Sequence, residues 1–284
     1  MKKYFSLVLF AHTLFAMPFA FIGFFLAVTS TPHPFSWYKL ILMILCMIFA
    51  RNAAMAFNRY LDRYIDAKNP RTANRDIPTG RISANGALLF TLANSLLLIG
   101  CTALINRLCF YLSPIALMVV LGYSYTKRFT PLCHLILGLG LSLAPIGAYL
   151  VIAEQFALPP IFFSLTVLCW VSGFDIIYAL QDEEFDKQNK LQSIPAWVGK
   201  KKALRISSFL HGLSALFIIL PLFFIPLGTF YVCGVVLFII LLVYQHYLVA
   251  PDDLSRVNRA FFTTNGIASV IFALFFLLDN YLRL

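Results

Sequence analysis

Apolar runs of about twenty residues recur along the whole chain, each closed by a short polar stretch, and that length is what an α-helix needs to cross a bilayer. Nine such runs are present, roughly Leu7–Val28, Leu40–Phe57, Gly86–Ile105, Leu108–Tyr125, Leu132–Ala153, Pro160–Leu180, Ser207–Ile225, Leu227–Val249 and Ala260–Leu278. The seventh and eighth are continuous in sequence and too long for one crossing; Pro221, Pro226 and Gly228 supply the break. Alternating ten-residue segments, the mark of a membrane barrel, do not occur. The pattern predicts an all-α integral membrane protein: one transmembrane domain over 1–284, with nine helices in a bundle and polar loops on the cytoplasmic side capping a central chamber.

Composition agrees. Of 284 residues, 61% are hydrophobic and 12% charged, against about 45–50% and ~25% in a soluble domain. Lys2 and Lys3 followed by an apolar run imitate a secretory signal, but the run continues to Val28 through Pro18, so it reads as an uncleaved first helix. Cys46, Cys101, Cys109, Cys133, Cys169 and Cys233 are scattered with no C-x-x-C pair, as small apolar residues without redox or metal roles. The net charge of +10 raises nucleic acid as a partner, and its distribution removes it. With the N-terminus inside, 18 of the 22 basic residues fall on inside segments, three (Lys39, Arg107, Arg283) outside, and Arg51 within a span. That is the positive-inside rule, and it places the N-terminus and the long loops in the cytoplasm; the expected location is a bacterial inner membrane.

Two connections are long, 58–85 and 181–204, and both lie on that side. They hold seven of the twelve acidic residues. They also echo each other: Asp62-x-x-x-Asp66 then Ile77-Pro78, and Asp182-x-x-x-Asp186 then Ile194-Pro195, with Asp182 following Asp62 by 120 positions. An internal repeat of four-helix units, with a site between its halves, accounts for the echo.

Asn58, Asp62 and Asp66 are spaced i, i+4, i+8, so on a continuing helix they share one face. Alone, such a row also fits a solvated helix end whose charge Arg59 and Arg63 compensate. Asp175, Tyr178, Asp182 and Asp186 trace a second face, and Asp175 lies within the sixth span, where an ionisable group signals function. Two facing carboxylate clusters repel unless a cation lies between them. All-oxygen ligation selects Mg²⁺ or Ca²⁺, and Mg²⁺ characteristically joins one or two carboxylates to substrate phosphates. With flanking lysines and arginines, such a site attracts a diphosphate and stabilises it as it leaves. Lys127, one turn after Tyr123, is a candidate diphosphate ligand or a positive-inside anchor. Arg51 precedes Asn58 by two turns and needs an anion: Asp175 in a structural bridge, or a carboxylate on a substrate.

The stretch Asn58-Arg59-Tyr60-Leu61-Asp62-Arg63-Tyr64-Ile65-Asp66, with Asn69-Pro70-Arg71-Thr72 and Ile77-Pro78, resembles the first aspartate-rich motif of the UbiA prenyltransferase superfamily. Asp175, Tyr178-Ala179-Leu180-Gln181-Asp182 and Asp186 resemble the second, and Tyr123-x-x-x-Lys127-Arg128 is similar to the short motif after the fourth helix. The resemblance implies an enzyme that holds a Mg²⁺-bound polyprenyl diphosphate between the motifs, ionises its allylic C–O bond and lets an electron-rich aromatic carbon attack. It implies that Asp62, Asp66, Asp182 and Asp186 bind metal, with Asn58 beside them. Tyr123 and Lys127 would contact diphosphate, Arg51 the acceptor's carboxylate, and Asp175 and Tyr178 would line the chamber. Partners are then a polyprenyl diphosphate, a small aromatic acceptor and the bilayer, with no obligate protein partner. The branch it resembles most is that of the 4-hydroxybenzoate polyprenyltransferases of ubiquinone synthesis, especially the subgroup of futalosine-route menaquinone synthesis, whose acceptor is a dihydroxynaphthoate. One departure is that the Arg-x-x-Lys-Pro stretch usual near the first helix is replaced here by His12, Thr13 and later Pro18. His12 either substitutes for the basic contact or is an interfacial histidine.

Three rivals remain at this level. A secondary transporter would need broken helices at the midplane rather than paired motifs at one face. A membrane scaffold gives Arg51 and Asp175 no purpose, and a relative using haem or chlorophyllide gives Arg51 no small carboxylate.

Overall fold

In the computed structural model, which describes residues 13–282, the chain is a bundle of long helices. They are α1 Thr13–Ser30, α2 Trp37–Lys68, α3 Ala84–Ile105, α4 Arg107–Thr126, α5 Cys133–Ala153, α6 Leu158–Ala179, the short α7 Glu183–Gln188 and α8 Ile194–Val198, then α9 Lys200–Ile219, α10 Thr229–Leu248 and α11 Asn265–Tyr281. Among the described residues eight helices are long and apolar enough to cross a membrane. The helix of the first run, described from Thr13, is also apolar and packs inside the bundle against α5 and α11. His12 lies outside the described residues.

Lipid and core faces separate at helical spacing. On α3 the buried positions are Ala87, Thr91, Asn94, Leu98, Thr102 and Ile105, whereas Leu89, Leu92 and Leu96 are exposed. Without a hydrophobic drive between helices in lipid, close approach of small residues matters more. Gly23 of α1 lies against the Pro145 carbonyl and Gly138 of α5 against Ser172 and the Leu168 carbonyl, so a Cβ at either would collide with backbone. An aromatic cluster of Phe19, Phe163, Trp170, Phe174, Phe238 and Phe272 fills the core between α1, α6, α10 and α11.

Breaks occur where the side chains can cap. Asn106 alone separates α3 from α4: extended, it accepts from Cys109 N–H through its side chain and donates to the Leu150 carbonyl at 2.9 Å. The predicted split between the seventh and eighth runs is present as a 3₁₀ turn, Leu220–Phe223, and a Pro226–Gly228 connection. Asp279, a buried carboxylate at the far end of α11, accepts from Gly228 and Tyr231 N–H and so caps α10.

Three sequence expectations change. The second span does not stop at Phe57: α2 runs 32 residues through Asn58, Asp62 and Asp66 to Lys68, so the first third of the expected loop is helix. The face expected for Asp175 to Asp186 is not one continuous helix, because α6 ends at Ala179 and a 3₁₀ turn, Leu180–Asp182, precedes α7. The ninth run opens with a π-helical turn, Arg259–Thr264.

Candidate active site

α2 delivers the first motif because it does not end at the membrane surface. Asn58 Nδ2 donates to Asp62 Oδ2 at 2.9 Å, one turn on, and Asp66 follows as a buried residue. Asn69 then closes the helix, and Thr72 Oγ1 bonds back to the Asp66 carbonyl. The second motif is held by tertiary contacts. Asp182 accepts from Asn69 Nδ2 at 3.2 Å and from Arg71 Nε and NH2 at 3.0 and 2.6 Å, while Arg71 NH1 donates to the Tyr178 hydroxyl at 2.9 Å.

Four cations meet the four aspartates crosswise. Arg71 and Arg75, from the loop after the first motif, pair with Asp182 and Asp66 at 2.6 Å each. Lys127 and Arg128, ending α4, pair with Asp186 at 2.7 Å and Asp62 at 2.8 Å. Each basic pair therefore bridges both motifs. Burial pushes the Lys127 ammonium down, but the charge and contact of Asp186 push it up further, so it stays above the usual lysine range and protonated. Arg71 behaves alike: burial lowers it, and the hydrogen bonds and charge of Asp182 more than offset that.

The repulsion argument for a metal is thus incomplete, since protein cations already neutralise the carboxylates. The donor set nevertheless fits one. Asp66 Oδ2 and both Asp186 carboxylate oxygens are buried without a hydrogen-bond partner, Asp186 Oδ1 meeting Lys127 by charge rather than by a directed bond. Buried acceptors of that kind are costly unless something fills them. No cluster of three or more acidic, His or Cys groups suited to a metal occurs among the described residues; Mg²⁺ characteristically takes one or two carboxylates and completes its shell from phosphate and water.

Beside this network lies a cavity of about 600 Å³. Arg51, Asn58, Tyr123, Asp175 and Tyr178 all line it. Asp62, Asp66, Asp182, Asp186 and Lys127 do not line it; Asp62 and Asp66 adjoin it through Asn58 and Arg75, and Asp182 through Arg71 and Tyr178, while Asp186 and Lys127 pair with each other outside the lining. Most of the remaining wall is apolar, with Met43, Met47, Leu98, Ile105, Leu112 and Leu150 along it. From Asn58 down to Met43 is fifteen residues of α2, about 22 Å at 1.5 Å per residue. Such a space takes a charged head at one end and a long apolar chain along the other.

Of the two partners open for Asp175 and Arg51, the bridge between them is not formed: Asp175 Oδ2 meets His134 Nδ1 at 2.6 Å instead. Sequence reasoning also passed over Arg59 and Arg75, both in the chamber wall, and the pairing roles of Arg71 and Arg128. Arg59, Arg71 and Arg128 stand within the motif stretches and Arg75 among the positive-inside charges, but sequence assigns none of them a partner; the dipeptide Lys127-Arg128 is the available signal. Phe261 and Phe262, carried by the π turn, were invisible to periodicity. Tyr178 stacks on Phe261 at 4.1 Å, and Asn265 holds the turn by donating to the Ala260 and Phe261 carbonyls.

A helical membrane protein whose paired aspartate motifs close one end of an apolar chamber defines the class of intramembrane prenyltransferases. The chain belongs to the UbiA prenyltransferase family, whose sequence model matches residues 16–267. It is similar to the 4-hydroxybenzoate octaprenyltransferase of Aliivibrio fischeri, 31% identical over 94% of this chain and 90% of that protein. The enzyme of the same description from Francisella tularensis subsp. novicida is 27% identical over 82% of each. Among solved structures, the apo UbiA homolog from Aeropyrum pernix K1 superposes with a TM-score of 0.85 at 32% identity, covering 94% of this chain and 98% of that one. A UbiA homolog from Archaeoglobus fulgidus bound to GPP and Mg²⁺ shares the fold, with a TM-score of 0.78 at 22% identity over 98% and 99%.

Proposed function

We propose that the protein transfers a polyprenyl group from its diphosphate to 4-hydroxybenzoate in quinone biosynthesis, in a Mg²⁺-dependent reaction at the cytoplasmic face of a bacterial inner membrane. The observation that carries this reading is one cavity that runs from Asn58 and Arg75, the partners of Asp62 and Asp66, past Arg51 into a long apolar wall. The curated relatives favour the one-ring acceptor over a dihydroxynaphthoate, and membership of a prenyltransferase family removes the transporter and scaffold readings.

Asp66 and Asp186 offer unpartnered oxygens to the metal, with Asp62, Asp182 and Asn58 adjacent. Bound there, Mg²⁺ supplies charge that binds diphosphate and stabilises it as a leaving group. Lys127, Arg71, Arg75 and Arg128 turn from the aspartates toward the phosphate oxygens, and Tyr123 adds a hydroxyl. The allylic C–O bond breaks with its electron pair leaving on diphosphate; a ring carbon then bonds to the allylic carbon and loses its proton. Arg51, two turns below Asn58 in the chamber wall, pairs with the acceptor's carboxylate through its planar fork. The apolar wall keeps water from the cation.

The test offers purified enzyme 4-hydroxybenzoate and a dihydroxynaphthoate with several prenyl diphosphates and identifies products by mass spectrometry. Product from the naphthoate alone would overturn the acceptor assignment. Arg51→Ala should lower kcat/KM for 4-hydroxybenzoate about 30–150-fold, the loss of a charge-assisted contact, and lysine should rescue poorly. An equal loss with a phenol lacking the carboxylate sinks the acceptor-binding role. For orientation, cysteines placed at the exposed positions Ser83 and Lys201 should resist labelling from the periplasmic side.

A further inference from the structure

Asp175 is the only acidic residue in the chamber wall among the described residues, and its setting does more than fill space. Its side chain keeps 22% exposure, and its Oδ2 is 2.6 Å from Nδ1 of His134, a buried residue at the start of α5. The opposite ring nitrogen, Nε2, is 3.4 Å from the Ile194 backbone N–H. A backbone N–H only donates, so this geometry fits the tautomer in which Nε2 accepts and Nδ1–H donates a hydrogen bond to Asp175. With both nitrogens engaged, the imidazole plane is fixed. Ser172 also bonds to the His134 carbonyl at 3.2 Å, tying the start of α5 to α6 next to Asp175. Ile194 belongs to the segment that follows Asp186 and opens α8. His134 therefore links three things: the chamber carboxylate, α6, and the loop that carries the second motif.

We propose that His134 is a positioning residue for the prenyl transfer, holding Asp175 Oδ2 so that the remaining carboxylate oxygen faces the chamber, and tying that oxygen's place to the loop bearing Asp182 and Asp186. The inference rests on the reading of the site as a prenyltransferase centre. A fixed anionic oxygen in an apolar wall is oriented before the reaction begins, and it faces the positive charge that develops as diphosphate leaves. An Asp175 without its donor swings freely, and the alignment is lost. His134 touches no substrate in this account; it acts through Asp175.

The experiment compares His134→Ala, His134→Asn, Asp175→Asn and the double variant His134→Ala/Asp175→Asn in vesicles, with saturating Mg²⁺ and both substrates. His134→Ala should lower kcat about 10–100-fold, the loss of a hydrogen bond to a charged group. Asparagine places an amide N–H near the position of Nδ1 and should restore most of the loss. The double variant should be no slower than Asp175→Asn alone, because one interaction cannot be removed twice. If His134→Ala does not insert, His134→Asn against His134→Gln carries the same comparison, since the glutamine amide reaches toward Ile194 rather than Asp175. Losses that multiply in the double variant, asparagine no better than alanine or glutamine, or an unimpaired His134→Ala each overturn the role of His134 alone. A wild-type enzyme that makes no prenylated product with any acceptor overturns the reading beneath it and the role with it.

Discussion

Asp62 and Asp66 ride on an uninterrupted 32-residue helix, whereas Asp182 and Asp186 carry the same spacing on a 3₁₀ turn and a six-residue helix. On α2, backbone hydrogen bonds alone fix the spacing of Asn58, Asp62 and Asp66. On the second side, contacts from distant parts of the chain do that work. Asn69 and Arg71 hold Asp182, Lys127 meets Asp186, the Gln192 N–H bonds to the Lys127 carbonyl at 2.7 Å, and the Ile194 N–H bonds to His134. One half of the site is set by local structure and the other by tertiary structure.

The sharpest way to break that contrast is to remove the metal or its proposed ligands. Chelation should abolish turnover; full activity after rigorous metal removal would refute the mechanism. Asp66→Ala and Asp186→Ala should each lower kcat by roughly 10²–10³-fold, the scale of losing one electrostatic stabiliser of a leaving charge, with the protein still inserted. Retention of most of the wild-type rate would return these carboxylates to a solvated face.

Arg71 and Arg128 separate the two halves more finely. Arg71→Ala removes a two-pronged contact on which Asp182 depends, and should raise the KM for prenyl diphosphate about 10-fold or more while lowering Tm. Arg128→Ala leaves α2 intact, so its cost should appear in kinetics with little change in Tm. Equal Tm losses would mean that the first motif also relies on tertiary support. Last, Asn58→Ala removes one amide hydrogen bond to the Asp62 carboxylate, worth about 1.5 kcal/mol, and should reduce kcat/KM about 10-fold.

Much of this was legible in the chain. Apolar runs gave the helices and even the Pro221–Gly228 break, because span length and proline rules are local. The two motifs were legible because charged residues at the ends of spans stand out against an apolar background. What sequence withheld was pairing. Nothing local says that Lys127 serves Asp186 while its neighbour Arg128 serves Asp62, or that Asp175 answers to His134, 41 positions away. The end of the second span was misplaced for a related reason. Charged residues mark the end of the apolar run at Phe57, but a helix does not stop where the membrane does; α2 continues, as the i, i+4, i+8 spacing allows, until Asn69 caps it.

The π turn at Arg259–Thr264 bears on how this chain could be re-engineered. A π turn closes its hydrogen bonds over five residues instead of four, so it holds one residue more than the α-helix it interrupts. Deleting a single residue there would let the turn relax to α without rotating the remainder of α11. Asp279 would keep its hold on the start of α10 at the far end. Phe261, however, would be drawn away from Tyr178 and the chamber wall. One excised codon would thus reshape the substrate space and leave the scaffold in register, which makes this turn a natural place to alter which acceptor the chamber admits.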